Sequence, residues 1–177
     1  MYDDRSRGGR YGSQEGRRER RGTPLSDLDP NLTEMSRKVI GAAIEVHRAL
    51  GPGYDESVYA GALQQELDGL GVAYKAGHRF DVRYKERVVG TTTADLWVGE
   101  RFVVEVMART GEIGGAERAV LRAQLRAADV ELGLIINFGE RRLKDGLVRV
   151  LNPDKLNAMR GEEEGDDDEY EDEDDEE

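Results

Sequence analysis

Asp95 and Glu105 stand in two strongly apolar stretches, Ala94-Asp95-Leu96-Trp97-Val98 and Phe102-Val103-Val104-Glu105-Val106-Met107. An acid in such a run is either the wet side of a half-exposed strand or part of a site, and the turn between the runs decides whether the two meet. A two-residue turn at Gly99-Glu100 pairs Asp95 with Val104 and mixes polar with apolar partners. A three-residue turn, Gly99-Glu100-Arg101, pairs Val98 with Phe102, Leu96 with Val104 and Ala94 with Val106, a wholly apolar face. The other face then pairs Trp97 with Val103, Asp95 with Glu105 and Thr93 with Met107. A buried face specifies register strongly, so the second pairing is preferred. It sets two carboxylates opposite each other, which is unfavourable unless a proton or a cation intervenes. Oxygen ligands from two acids suit Mg²⁺, which keeps several waters and takes one or two carboxylates plus substrate phosphate. The plainer alternative is a solvated hairpin face.

The flanking elements follow from periodicity. Asn31 with Glu34 three residues on reads as a capping box, and Met35, Val39, Ala42, Val46 and Leu50 then make one helical stripe ended by Gly51-Pro52-Gly53. A second helix is expected from about Asp55 to Leu70, with Val58, Tyr59, Ala62, Leu63, Leu67 and Leu70 inward. Phe80, Val82 and Tyr84 alternate as a strand turned at Lys85-Glu86. Val88 to Val98 is a second strand, irregular near Gly90, and Phe102 to Met107 a third. A helix from about Ala116 to Ala128, a buried strand over Leu132 to Phe138 and a further strand within Leu143 to Leu151 complete an α/β layout with one mixed sheet.

The chain of 177 residues has a formal charge of −12. Fourteen of its acids lie between Gly161 and Glu177; without them 26 basic residues face 24 acidic ones. The first 22 residues hold seven arginines and four acids with no apolar pattern. Neither end buries enough apolar surface to offset the entropy of ordering, so the expected organisation is a disordered Arg/Gly-rich head (1–30), one folded domain (31–155) and a disordered acidic tail (156–177). There is no cysteine, which excludes disulfides, thiolate metal sites and cysteine nucleophiles. No apolar run is long enough to span a membrane, and the start lacks the apolar core of a signal peptide. The expected location is cytoplasmic.

The stretch Gly51-Pro52-Gly53-Tyr54-Asp55-Glu56-Ser57-Val58-Tyr59 resembles the signature of the family named for its GxxExxY motif, here Gly53, Glu56 and Tyr59. The likeness runs from about Glu34 to Leu151 and takes in His47-Arg48-Ala49-Leu50, Ala94-Asp95-Leu96 and Gly133-Leu134-Ile135-Ile136-Asn137-Phe138-Gly139. That family looks like a branch of the PD-(D/E)xK nuclease superfamily. The resemblance implies a restriction-endonuclease-like core, a mixed central sheet flanked by helices in the order helix, three strands, helix, strand, here with an extra N-terminal helix. It implies Asp95 and Glu105 as metal-binding acids, Glu56 as the acid completing the site and the Val106 carbonyl as a further ligand, with Mg²⁺ or Mn²⁺ as cofactor. Such a metal binds the scissile phosphate and lowers the pKa of a water, while a lysine positions or activates the nucleophile.

This chain departs from that pattern at the site. Met107 stands at the lysine position of E-x-K, Thr110 stands where the family has another acid, and Val120 and Gln124 replace a glutamine and a tyrosine. A thioether neither donates to an attacking water nor offsets phosphate charge. Arg109, two residues past Met107, is expected on the same side and can neutralise phosphate but not act as a base. Lys144 is a second candidate that no spacing argument places near the acids. The reading is a catalytically degenerate nuclease-fold protein that binds nucleic acid or a protein partner; the alternatives are an active Mg-dependent deoxyribonuclease and a pure protein-interaction module.

Simpler roles stand beside these. Glu56 suits a helix N-terminus by charge alone, and Tyr59 suits core packing with a bonded hydroxyl. His47 and His78 form no metal-ligand spacing and read as packing or surface residues. Trp97 would support the acid face and Gly90 marks a bulge. Gly111, Gly114 and Gly115 lack a phosphate-loop context, so nucleotide binding is rejected. The arginine-rich head can hold phosphates, and the acidic tail could compete for that head as an electrostatic brake.

Overall fold

The computed structural model describes residues 29–155 and Ala158. The expected head and acidic tail therefore fall almost wholly outside the described residues. Helix α1 spans Pro30–Leu50. Its N-cap is Asp29, not the expected Asn31: the Asp29 carboxylate accepts the Asn31 N–H at 2.8 Å. Pro30 explains the difference, because a proline at the first helical position forfeits only an N–H that has no partner there. Helix α2 covers Glu56–Gly69 and buries Tyr59, Leu63 and Leu67. Val58 and Leu70, expected inward, are exposed, so the covered stripe is one residue wide per turn. Among the described residues no helix is long and apolar enough to cross a membrane.

Five strands form one mixed sheet whose spatial order is the chain order. They are β1 (Tyr74–Tyr84), β2 (Arg87–Val98), β3 (Phe102–Met107), β4 (Leu132–Asn137) and β5 (Leu147–Leu151). Only β3 and β4 are parallel, which requires a crossover; helix α3 (Gly115–Ala128) supplies it. The β1–β2 register slips where Val82 faces Gly90 and Arg83 faces Val88, the expected bulge at Gly90. The stretch expected as a strand from Leu143 begins instead as a 3₁₀ turn, Leu143–Gly146. A Cβ at Gly146 would collide with the Asn137 carbonyl, so the chain can pass β4 there only without a side chain.

Apolar residues fill both faces of the sheet. Leu96, Val98, Phe102, Val104, Val106, Leu134 and Ile136 pack under α1 and α2. Trp97, Val103, Ile135 and Val150 pack under Leu121 and Leu125 of α3. Burial of a large aliphatic side chain contributes roughly 1.5–3 kcal/mol, and Leu63, Leu96, Leu121 and Leu134 are all fully buried. A sheet covered on both sides leaves its interior with little water, and the two acids must be accommodated there.

Candidate functional site

The β2–β3 hairpin has the register that a three-residue connection demands: Val98 faces Phe102, Trp97 faces Val103 and Leu96 faces Val104. Gly99 and Glu100 both take positive φ, 56° and 58°, and a Cβ on Gly99 would collide with the Met35 side chain. Beyond Leu96 the regular pairing stops. Asp95 Oδ2 accepts the Val106 N–H at 2.8 Å, and Glu105 Oε1 accepts the Asp95 N–H at 3.3 Å. The two carboxylates thus take over backbone donors where the ladder opens, and they lie together as the register implied.

One part of the register expectation is corrected here. Ala94 was to share the Leu96 face opposite Val106, but it packs with Trp97 and Phe80 on the α3 side. Both β1 and β2 change face at this point, between the pairs Ala76–Leu96 and His78–Ala94. The intervening Gly77 has φ 57°, a left-handed conformation that interrupts the alternation opposite Asp95.

Glu105 lies on the α3 side, beside Ile135 in the parallel ladder. Burial, and then the charge of Asp95, push its carboxyl from 4.5 up to about 7; the Asp95 amide and Gln124 act in the opposite direction, and Glu56 adds to the rise. Gln124 is 2% exposed, and its Nε2 donates to the Thr93 carbonyl at 2.9 Å. Its Oε1 is buried with no partner among the described residues. Gln124 entered the sequence reading only as a departure from a motif; its position between Leu121 and Leu125 on an apolar helix face was the signal that it is buried.

Asp95 and Glu105 form a pair, and Glu56 lies near enough for its charge to raise Glu105 without joining them in a cluster of three. Among the described residues no three His, Cys, Asp or Glu side chains are close enough together to hold a metal ion. Glu56 is exposed at the first position of α2, whose apolar stripe packs on the layer opposite α3. The pair itself fits a hard divalent cation in kind: each carboxylate uses one oxygen on a backbone N–H and retains another. A cation between them would also remove the unfavourable charge that raises Glu105.

Two other members of the GPGYDESVY stretch have structural work. Gly53 takes φ 122°, which favours glycine. Tyr59 is fully buried; its hydroxyl donates to the Gly51 carbonyl at 2.6 Å and accepts the Tyr54 N–H at 3.1 Å. Its ring stacks on Phe138 at 4.7 Å, and His47 stacks on the same Phe138 at 6.5 Å while its Nε2 donates to the Glu140 carbonyl. His78 stacks on Trp97 at 6.1 Å. Both histidines therefore serve packing.

Arg109 lies beyond the regular strand. β3 ends at Met107, and Asn137 turns the chain: its Oδ1 accepts the Arg109 N–H, and its Nδ2 donates to the Arg109 and Gly111 carbonyls. The Arg109 guanidinium pairs with Glu117 at the start of α3. Asn137 is a residue that sequence reasoning missed, although a lone amide inside a buried apolar run must find partners. Met107 is half-buried on the α3 side and faces Asn137 across the ladder. Lys144 lies in the 3₁₀ turn.

These features define a class: an α/β domain whose mixed sheet is covered on both faces and opens at two paired acids. A family model described as the PD-(D/E)XK nuclease superfamily matches residues 33–150, and the chain belongs to that superfamily. Its sheet and flanking helices form the restriction-endonuclease-like core of that fold. No curated protein and no solved structure gave a match.

Proposed function

We propose that this chain is a GxxExxY-type nuclease-fold protein that has lost, or nearly lost, cleavage and works by binding nucleic acid or a protein partner in the cytoplasm. The observation that carries the reading is Met107, a thioether at the lysine position beside the Asp95–Glu105 pair. The acids retain the capacity to hold Mg²⁺ or Mn²⁺, with Glu56 and the Val106 carbonyl as the further ligands the motif implies. When bound, such an ion supplies charge neutralisation for a phosphate and a lowered pKa for a water. The chain's own groups then decide whether a bond breaks. Met107 can neither take nor give a proton, and Arg109 is committed to Glu117. Loss of a positioned acid–base group typically costs about 10²–10⁴-fold in rate.

The rival reading, an active Mg-dependent deoxyribonuclease, draws support from Glu105. A carboxyl pushed up to about 7 lies in the range where a side chain exchanges protons near neutral pH. The third reading, a protein-interaction module with a vestigial site, requires neither metal nor nucleic acid to bind.

The deciding experiment compares DNA cleavage by the unmodified chain, Asp95→Ala and Met107→Lys, with Mg²⁺ and then Mn²⁺. The expected result is silence from the first two and metal-dependent cutting by Met107→Lys. Cutting by the unmodified chain that Asp95→Ala abolishes establishes the active nuclease and overturns the proposal. Silence from all three, with no metal or nucleic-acid binding, leaves the interaction module.

A further inference from the structure

The β1–β2 hairpin outruns the rest of the sheet. β2 pairs with β3 only through Leu96, Trp97 and Val98, and β1 is the first strand of the sheet, with no strand on its outer side. Every residue from Asp81 to Thr91 is exposed. A two-stranded ribbon is at best marginally stable alone, and the open backbone edge of β1 is a template for another strand. Phe80 belongs to the core under α3. Strand alternation points Val82 and Tyr84 the same way, past the cover of the helix, and sends Asp81 and Arg83 to the opposite face. Val82 and Tyr84 are 36% and 65% exposed.

This edge reads Phe80-Asp81-Val82-Arg83-Tyr84, and it is its own complement. Antiparallel pairing with a second copy about Val82 sets Val82 opposite Val82, and twice over sets Asp81 opposite Arg83 and Phe80 opposite Tyr84. Opposite charges directly across two strands stabilise their pairing and like charges destabilise it. Among the described residues neither Asp81 nor Arg83 has an ion-pair partner, and across β2 they face only Thr91 and Val88. The neighbouring registers fail. Centring on Asp81 sets Asp81 against itself and Arg79 against Arg83, and centring on Arg83 sets Arg83 against itself. Centring on Phe80 runs the pairing into Gly77, where φ is 57° and β1 changes face. The extra residue of the bulge, Val89, is on β2, so β1 keeps its alternation through Val82.

We infer that two copies of this chain pair along β1 about Val82, joining their sheets into one. Backbone hydrogen bonds along the joined edge supply affinity, and the Asp81–Arg83 pairs fix the register. On the other face, a cavity of about 660 Å³ lies between this stretch of β1 and Ala123 and Ala127 of α3. The small alanines keep that wall low, so Val82 and Tyr84 of the second copy fit beside the helix and cover apolar surface that one chain leaves in water. The twofold uses up both β1 edges, so assembly along this edge stops at two chains. Dimerisation of this kind requires nothing of the acid pair and stands whether or not the chain cuts a phosphodiester.

Sedimentation of the full-length chain over a concentration series tests this, and the mass should rise to twice that of one chain. Asp81→Arg alone and Arg83→Asp alone each set two like-charged pairs across the edge and should weaken dimerisation by about tenfold or more. The two substitutions in one chain should restore it, and mixing the two single variants should give a dimer with one chain of each. Both positions are exposed, and circular dichroism reports whether the fold is kept. The chain has no cysteine, so oxidation should link Val82→Cys chains to each other, because Val82 lies opposite itself, and leave Thr91→Cys chains unlinked. A chain that stays monomeric overturns the inference, whatever else the edge binds. A dimer that the single reversals leave unchanged, or that the double reversal fails to restore, forms elsewhere and overturns it equally.

Discussion

Glu105 carries the largest electrostatic consequence of any single residue in the site. Its carboxyl rises from 4.5 to about 7 because it is buried and faces Asp95. The fold therefore holds this proton more tightly than the unfolded chain does. The resulting stabilisation is complete below about pH 4.5, declines as pH rises through 7 and is gone above it. A displacement of this size corresponds to at most ~3 kcal/mol, and less for a side chain that still touches water. Glu105→Gln keeps the shape without the titration. Its urea midpoint should change less between pH 5 and pH 8 than that of the unmodified chain; parallel pH profiles would show that Glu105 is not the group responsible. Millimolar Mg²⁺ should narrow the difference at pH 8, because a ligand that binds only the folded state stabilises it.

Asn137 works at the scale of elements, since one amide ties the loop after β3 to the end of β4. It is fully buried, and its contacts to Arg109, Gly111 and Gly139 involve four hydrogen bonds. Asn137→Ala leaves several of these backbone groups unpaired and should cost about 2–4 kcal/mol in a denaturation curve; a loss under 1 kcal/mol would mean that water replaces the clamp. Gly139 belongs to the same joint, where an added Cβ would come within 2.5 Å of the Arg109 carbonyl oxygen. How legible each element was in the sequence follows from how local its cause is. The turn at Gly99-Glu100-Arg101 and the juxtaposition of Asp95 with Glu105 could be read because apolar pairing across one hairpin has a single good register. The face change at Ala94 could not, because its cause is Gly77 on another strand. Val58 and Leu70 follow the helical period, but which part of that stripe is covered depends on how α2 seats on the sheet. The hold of Asn137 on the Arg109 backbone could not be read, because strand alternation says nothing past the residue where β3 ends.

At the scale of the molecule, the site draws on two layers. The acid pair comes from adjacent strands, Gln124 reaches it from α3, and the Gly51–Tyr59 loop is fixed on the other side by the ring of Phe138. The spatial order of the strands repeats their order in the chain, and that bears on how the protein folds. β1, β2 and β3 are consecutive hairpins whose closure entropy is small, whereas β4 joins β3 only after the chain has passed through α3. The acids meet within the local half of the sheet, before its parallel half can close. An ionised Glu105 is therefore a burden on the folding barrier itself, and Glu105→Gln should speed refolding at pH 8 more than it slows unfolding. A chevron plot in which only the unfolding limb moves would place the meeting of the acids after the rate-limiting step.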